Sequence, residues 1–269
     1  MKHFLHVCGV VGILLNSIMA DVVVSCKPLY FVVAPLIKGV DTPKLLINHG
    51  QCGHHHHARP SEILLIKSAK LVVWNGSTHE PFMSKLIGSA KANIKVFDET
   101  DGFSWLSPNE VIKKLPAVVG ALKSVYPECD HATIDANAKV FIEELQKLHE
   151  KTQLQLQPLS GKSILTTYPV LTYFANAYGL VVSGYMMGSP EESMTPQRLR
   201  NVYKVLEERR VIGVIKDHHV PINVVQNLVQ KYKLPILTVD TEGVDIPAST
   251  RGYNILIERL AQSIVKWAQ

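Results

Sequence analysis

Apolar residues along this chain come in short, unalternating runs separated by stretches of helical period, and the rhythm occurs twice. In the first half, runs at residues 22–25, 44–47, 71–74 and 94–97 read as strands, and 31–38, 61–69 and 81–89 as helices. Strands rich in Val, Ile and Leu, without in–out alternation, belong to a parallel sheet covered on both faces. A further helix is expected over 108–125, with Pro116 placed to kink or break it. From 130 to 157 the pattern changes. There is no strand signal and no glycine, and Ile134, Ala138, Phe141, Leu145 and Leu148 recur at steps of four and three, one face of a continuous helix. Such a helix would run roughly 40 Å at ~1.5 Å per residue. Pro158 ends it. Strands then resume at 163–167, 180–183, 211–215 and 236–239. The helices between and after them are 171–178, 196–210, 222–231 and 253–267. Thr195-Pro196 opens the second of these, a hydroxyl cap followed by proline at the first helical position.

The pattern predicts an α/β protein of two lobes, each a four-stranded parallel sheet flanked by helices, joined by one long backbone helix. The expected boundaries are 21–129 for the first lobe, 130–157 for the connecting helix and 158–269 for the second lobe. Loops at the carboxyl ends of the two sheets should face each other across a cleft, where open parallel sheets bind their ligands.

Residues 1–20 change the picture of where the protein works. Lys2, the apolar run 7–18 and a small residue, Ala20, before Asp21 have the layout of a secretory signal peptide, too short to span a membrane. Leu5-His6-Val7-Cys8 lies too early for a lipidation site and lacks the small residues expected before the cysteine. An exported, periplasmic protein is predicted, and a monomer. A formal net charge of +5, spread without a basic stripe, excludes a nucleic-acid footprint. Without Cys8, three cysteines remain, Cys26, Cys52 and Cys129, which is not a disulfide scaffold. Ser160-Gly161-Lys162-Ser163 looks like the end of a phosphate-binding loop, but Leu156 stands where that motif needs glycine, and the segment precedes a strand where the motif follows one.

The candidate chemistry sits in the stretch from Asn48 to Glu62, where His49, His54, His55, His56 and His57 crowd a glycine-punctuated loop with Cys52. Neutral imidazole is the commonest protein ligand for zinc and similar borderline ions. A solvated, loosely metal-affine loop is the bland alternative. Histidines on one loop become a defined site only when other segments converge on them. No His-Glu-x-x-His pairing or comparable open site with a general base occurs, so a metallohydrolase is not expected.

Several motifs taken together resemble one family. They are Val24-Ser25-Cys26-Lys27-Pro28-Leu29, Arg59-Pro60-Ser61-Glu62, Leu71-Val72-Val73-Trp74-Asn75-Gly76 with Glu80, Trp105-Leu106-Ser107-Pro108, and Tyr173-Phe174 with Tyr178-Gly179-Leu180. The chain is similar to the periplasmic zinc- and manganese-binding proteins of ABC importers over nearly all of its mature length. The resemblance implies a metal site built from four segments, two per lobe. His54 stands at the first ligand and Asp240, in Val239-Asp240-Thr241, at the fourth. Phe103 occupies the position of the second, and Tyr168 that of the third. Phenylalanine cannot coordinate, and the tyrosine hydroxyl ionises about three pK units above pH 7.

Three readings stand open at this point. His56 or another member of the run could restore the ligand count, with His218 or His219 contributing from the second lobe. Alternatively His54, Tyr168 and Asp240 form an oxygen-richer set suited to a harder ion, Mn2+ or Fe3+. In the third, the cleft has lost high-affinity metal binding, and the scaffold serves as an interaction or adhesin-type module or binds another solute. The resemblance favours capture of a transition-metal ion, Zn2+ first, and its delivery to an ABC permease in the inner membrane, with no catalysis.

Overall fold

The computed structural model describes residues 21–47, 56–88, 92–98, 103–189, 192–208 and 211–269. In the first lobe β1 (Val22–Val24), β2 (Lys44–Leu45), β3 (Leu71–Trp74) and β4 (Asn93–Val96) form one parallel sheet in the order β2-β1-β3-β4. The second repeats that arrangement with β5 (Ser163–Thr166), β6 (Val181–Tyr185), β7 (Val211–Asp217) and β8 (Ile236–Val239) in the order β6-β5-β7-β8. Every registered pair is parallel, Val22 beside Leu71 in the first sheet and Val214 beside Ile236 in the second.

The first sheet explains the unalternating runs. Val22 and Val24 face the main core with Leu71 and Val73. Val23 and Val72 turn to a smaller core with Leu46, Ile66, Trp74 and Met83. Val22, Val23 and Val24 all have 0% of their surface exposed, so both faces of the strand are buried and neither can be polar. Helices α1 (Lys27–Leu36), α2 (Pro60–Ser68), α3 (Pro81–Ile87) and α4 (Pro108–Lys123) surround this sheet, and α6 (Thr172–Tyr178), α7 (Pro196–Glu208), α8 (Asn223–Tyr232) and α9 (Gly252–Trp267) surround the other. Thr195 Oγ1 caps α7 by accepting the Arg198 N–H at 3.2 Å.

Between the lobes runs α5, Glu128–Leu156, whose buried positions include Ile134, Ala138, Phe141, Leu145 and Leu148, the face marked out by the sequence. A 3-10 turn, Gln157–Leu159, carries the chain past Pro158. One expectation is corrected. Helix α4 continues through Pro116 without a break. Pro116 occupies an exposed position of the helix, so its ring does not intrude on the buried face made by Val111, Leu115 and Val118. Three strand ends also move by two residues: β2 stops at Leu45, β6 extends to Tyr185 and β7 to Asp217.

Candidate metal centre

In each sheet the chain reverses its winding direction between the first strand and its inner neighbour, β1 and β3 in one lobe, β5 and β7 in the other. A doubly wound sheet opens its ligand crevice at that point, beyond the carboxyl ends of the strands. The side chains found there are Ser25, Cys26 and Asn75 in the first lobe, and Tyr168, Asp217, His218 and His219 in the second.

On the first lobe's side the centre is a buried carboxyl. Glu80 has no exposed surface; Ser25 Oγ donates to its Oε1 at 2.7 Å and the Asn75 N–H to its Oε2 at 3.0 Å. Burial pushes Glu80 up to about 7, against the hydrogen bonds of Asn75, Ser25 and Cys26, which favour its charged form. Burial also raises the Cys26 thiol, with the Glu80 charge adding to it. Cys26 is buried and Cys129 exposed, and both are free thiols; Cys52 lies outside the described residues.

On the second lobe's side lies a denser cluster. Asp217, the last residue of β7, is wholly buried; it accepts the Thr241 hydroxyl at 2.6 Å and the His219 N–H at 3.0 Å. His218 Nδ1 lies 3.5 Å from Asp217 Oδ1 and 3.9 Å from Asp240 Oδ1, and His219 Nε2 lies 3.4 Å from Glu242 Oε2. The two imidazole rings stand with centroids 3.7 Å apart. Burial would lift the Asp217 carboxyl, but His218, Thr241 and the His219 amide outweigh it and hold the group below the usual carboxylate range. Burial likewise opposes charge on His218, yet Asp217, Asp240 and Glu242 together raise the imidazole. Lys216, beneath the cluster, donates to the backbone carbonyls of Asp217 and Val220. Asp240 follows β8, and its Oδ1 accepts the N–H groups of Glu242 and Gly243 at 3.1 and 2.8 Å, which fixes the turn that carries Glu242. Among the described residues, Asp217, His218 and His219 are the one set of three or more His, Cys, Asp or Glu whose donor atoms all lie within 4.8 Å of one another.

The other sequence-derived positions divide. His54 lies outside the described residues. His56 is buried four residues before α2, with Nε2 2.8 Å from Glu62 Oε2 and its ring edge-on to Phe82 at 4.8 Å. The same Glu62 oxygen accepts the Arg59 N–H at 2.7 Å, so one carboxylate ties down both the histidine and the helix start. Phe103 and Tyr168 are both buried and touch across the lobes, ring centroids 5.7 Å apart. His79 and Trp105 complete this aromatic wall, His79 standing edge-on to Phe103 at 4.8 Å and to Trp105 at 5.1 Å. Asp217 and Glu242 went unremarked in the sequence. The signal for the first was the unbroken run Lys216-Asp217-His218-His219 directly after a strand whose end was placed two residues early.

Two doubly wound lobes on one rigid helix, with charged and imidazole donors gathered at the strand ends, define a bilobed solute-binding protein. Comparison with known proteins narrows the class. Residues 22–267 match the profile of the family described as zinc-uptake complex component A, periplasmic. The high-affinity zinc uptake system protein ZnuA of Yersinia pestis is 24% identical, the alignment covering 93% of this chain and 92% of that protein. Among solved structures, the binding protein FpvC of Pseudomonas aeruginosa in complex with Ni2+ superposes with a TM-score of 0.80 at 17% identity, over 93% of this chain and 97% of that one. The laminin-binding protein Lmb of Streptococcus agalactiae superposes with a TM-score of 0.77 at 16% identity, over 92% and 99%. The chain belongs to the zinc-uptake family, the periplasmic metal-binding components of ABC importers.

Proposed function

We propose that the protein captures Zn2+ on the cleft face of its second lobe and presents it to the permease of an ABC importer, with Mn2+ and Fe3+ as the alternative cargoes. The observation that carries this reading is Asp240, whose carboxylate stands at the end of β8 with Oδ1 fixed by two backbone N–H groups and directed toward His218. His54 is the ligand proposed from the first lobe. His56, with one nitrogen held by Glu62, has the carboxylate–imidazole pairing that orients metal-binding histidines. Residues 1–20 act in this reading as an export signal, and the mature protein works in the periplasm as a monomer. It binds and releases; it catalyses nothing. Titration of the metal-stripped mature protein with Zn2+ tests the proposal. The expected result is one tight equivalent, weakened by at least about tenfold in His54→Ala and in Asp240→Ala.

One observation favours a second reading. The Phe103–Tyr168 contact closes the place where two donors would stand in the resemblance, and Lmb, of the same fold, is described as a bifunctional protein with adhesin and metal-transporting activity. An interaction or adhesin-type module without strong metal affinity, or a carrier of another solute, would give only weak, multiple Zn2+ binding, unchanged by His54→Ala.

A further inference from the structure

Both ring nitrogens of His218 and Nε2 of His219 are shut off from solvent, and none of the three makes a well-formed hydrogen bond. Buried polar groups are nearly always partnered, by protein, water or an ion, so three such atoms at one strand end point to a bound species there. The surrounding carboxylates stand beyond well-formed hydrogen-bond distance, at 3.5 Å for Asp217, 3.9 Å for Asp240 and 3.4 Å for Glu242. The separations of Asp217 and Glu242, at 3.5 and 3.4 Å, suit neighbouring ligands of a four-coordinate ion, while Asp240, at 3.9 Å, stands farther off. Bonds of about 2.0–2.2 Å at tetrahedral angles set donor atoms roughly 3.3–3.6 Å apart.

We infer that Asp217, His218 and His219 hold the captured ion, with Asp240 and Glu242 as the carboxylates beside them, and that the site takes a borderline divalent cation of the zinc class. The inference rests on the metal-capture reading and locates the missing donors. Phe103 and Tyr168 are spent on a hydrophobic contact between the lobes, while two imidazoles one strand away stand ready to replace them. The donor set is two nitrogens and carboxylate oxygens, which suits zinc better than a purely oxygen-seeking ion. Three carboxylates around two histidines leave the pocket electronegative, and the two lysines nearby, Lys216 and Lys27, are both turned onto backbone carbonyls. The side chains of His218 and His219 keep 26% and 14% of their surface exposed while their inward nitrogens are covered, so an ion enters by a small shift of the rings, whereas Asp217 at 0% anchors them from below.

The test uses the full mature protein, stripped of metal, and two probes. Zn2+ is followed by calorimetry and Co2+ by its visible absorption, which reports tetrahedral nitrogen–oxygen ligation. The His218→Ala/His219→Ala double variant is expected to lose more than roughly 100-fold in Zn2+ affinity, beyond the loss from removing a residue that only orients a ligand, and to lose the Co2+ spectrum. Histidine ring 15N shifts in the unaltered protein check the same point without a variant, since the His218 and His219 nitrogens should move as one equivalent of Zn2+ fills. A tight equivalent that survives in the double variant, with His54→Ala abolishing it, would leave metal capture standing and overturn this assignment. Absence of any tight equivalent in the unaltered protein would overturn both.

Discussion

Glu80 couples the cleft's first-lobe wall to pH. Its carboxyl is fully buried, and with Ser25 and Asn75 donating to it the charge is only partly compensated, so the group holds its proton up to about 7 where a free glutamate would release it near 4.5. A folded-state pKa raised above the unfolded value favours the fold most at low pH. Between about pH 4.5 and 7 the native state keeps a proton that the unfolded chain has lost, and stability from this group falls as pH rises through that window. Above 7 both states are ionised and the contribution is level. At about 1.36 kcal/mol per unit the total is about 3 kcal/mol. Glu80→Gln keeps the shape and one acceptor without the charge. Urea unfolding of metal-free protein from pH 4 to 8 should therefore give a difference between variant and parent that grows by about 3 kcal/mol, in the variant's favour, toward neutral pH. A constant difference across the window would mean that Glu80 is already ionised in the fold at pH 4.5.

The elements meet most tightly where α9 begins. A Cβ added at Gly252 would lie 2.1 Å from Phe31 Cδ1, and Phe31 is wholly buried in α1 of the other lobe, so neither side has room to give. Gly252→Ala should cost about 2 kcal/mol or more through overpacking, read as a lower urea midpoint with an unchanged slope. Nothing in the sequence marks this glycine, because a clash between helices remote in the chain leaves no local trace. The same limit separates what was legible from what was not. The eight strands were readable because Val22–Val24 and Leu71–Trp74 are apolar on both faces, and α5 because its buried positions keep a helical period over 29 residues. Pro116 misled because its effect depends on which side of α4 faces water. Asp217 was overlooked because a buried carboxylate at a strand end reads as the start of a loop. The place of Asp240 directly after the last strand was legible through the motif around it, but that Phe103 and Tyr168 would meet each other across the lobes was not.

The lobes are tied at the same end as the donors. Trp105, wholly buried, donates its Nε1–H to the Thr241 carbonyl at 3.0 Å, and Tyr253 returns a hydrogen bond to the Trp105 carbonyl at 2.7 Å. Lys27, at the first turn of α1, crosses to the loop after β8, where its ammonium reaches the carbonyls of Gly243 and Ile246 at 3.3 and 3.1 Å and that of Val244. Those acceptors lie directly after Asp240 and Glu242, so the lysine of one lobe sets the position of carboxylates in the other. With a continuous helix as the connection, capture is expected to involve a small tilt of the lobes and local ordering of this loop, without a wide hinge. Lys27→Met keeps much of the side-chain volume and removes all three hydrogen bonds. A part-buried, charge-assisted donor of this kind is worth about 1.5–3 kcal/mol. The variant should lose that much stability, exchange the amides of the 240–246 loop faster with deuterium, and bind Zn2+ more weakly while keeping one equivalent. Faster exchange with unchanged affinity would mean that the loop's carboxylates do not share the ion, and that His218, His219 and Asp217 hold it without help from the interlobe contact.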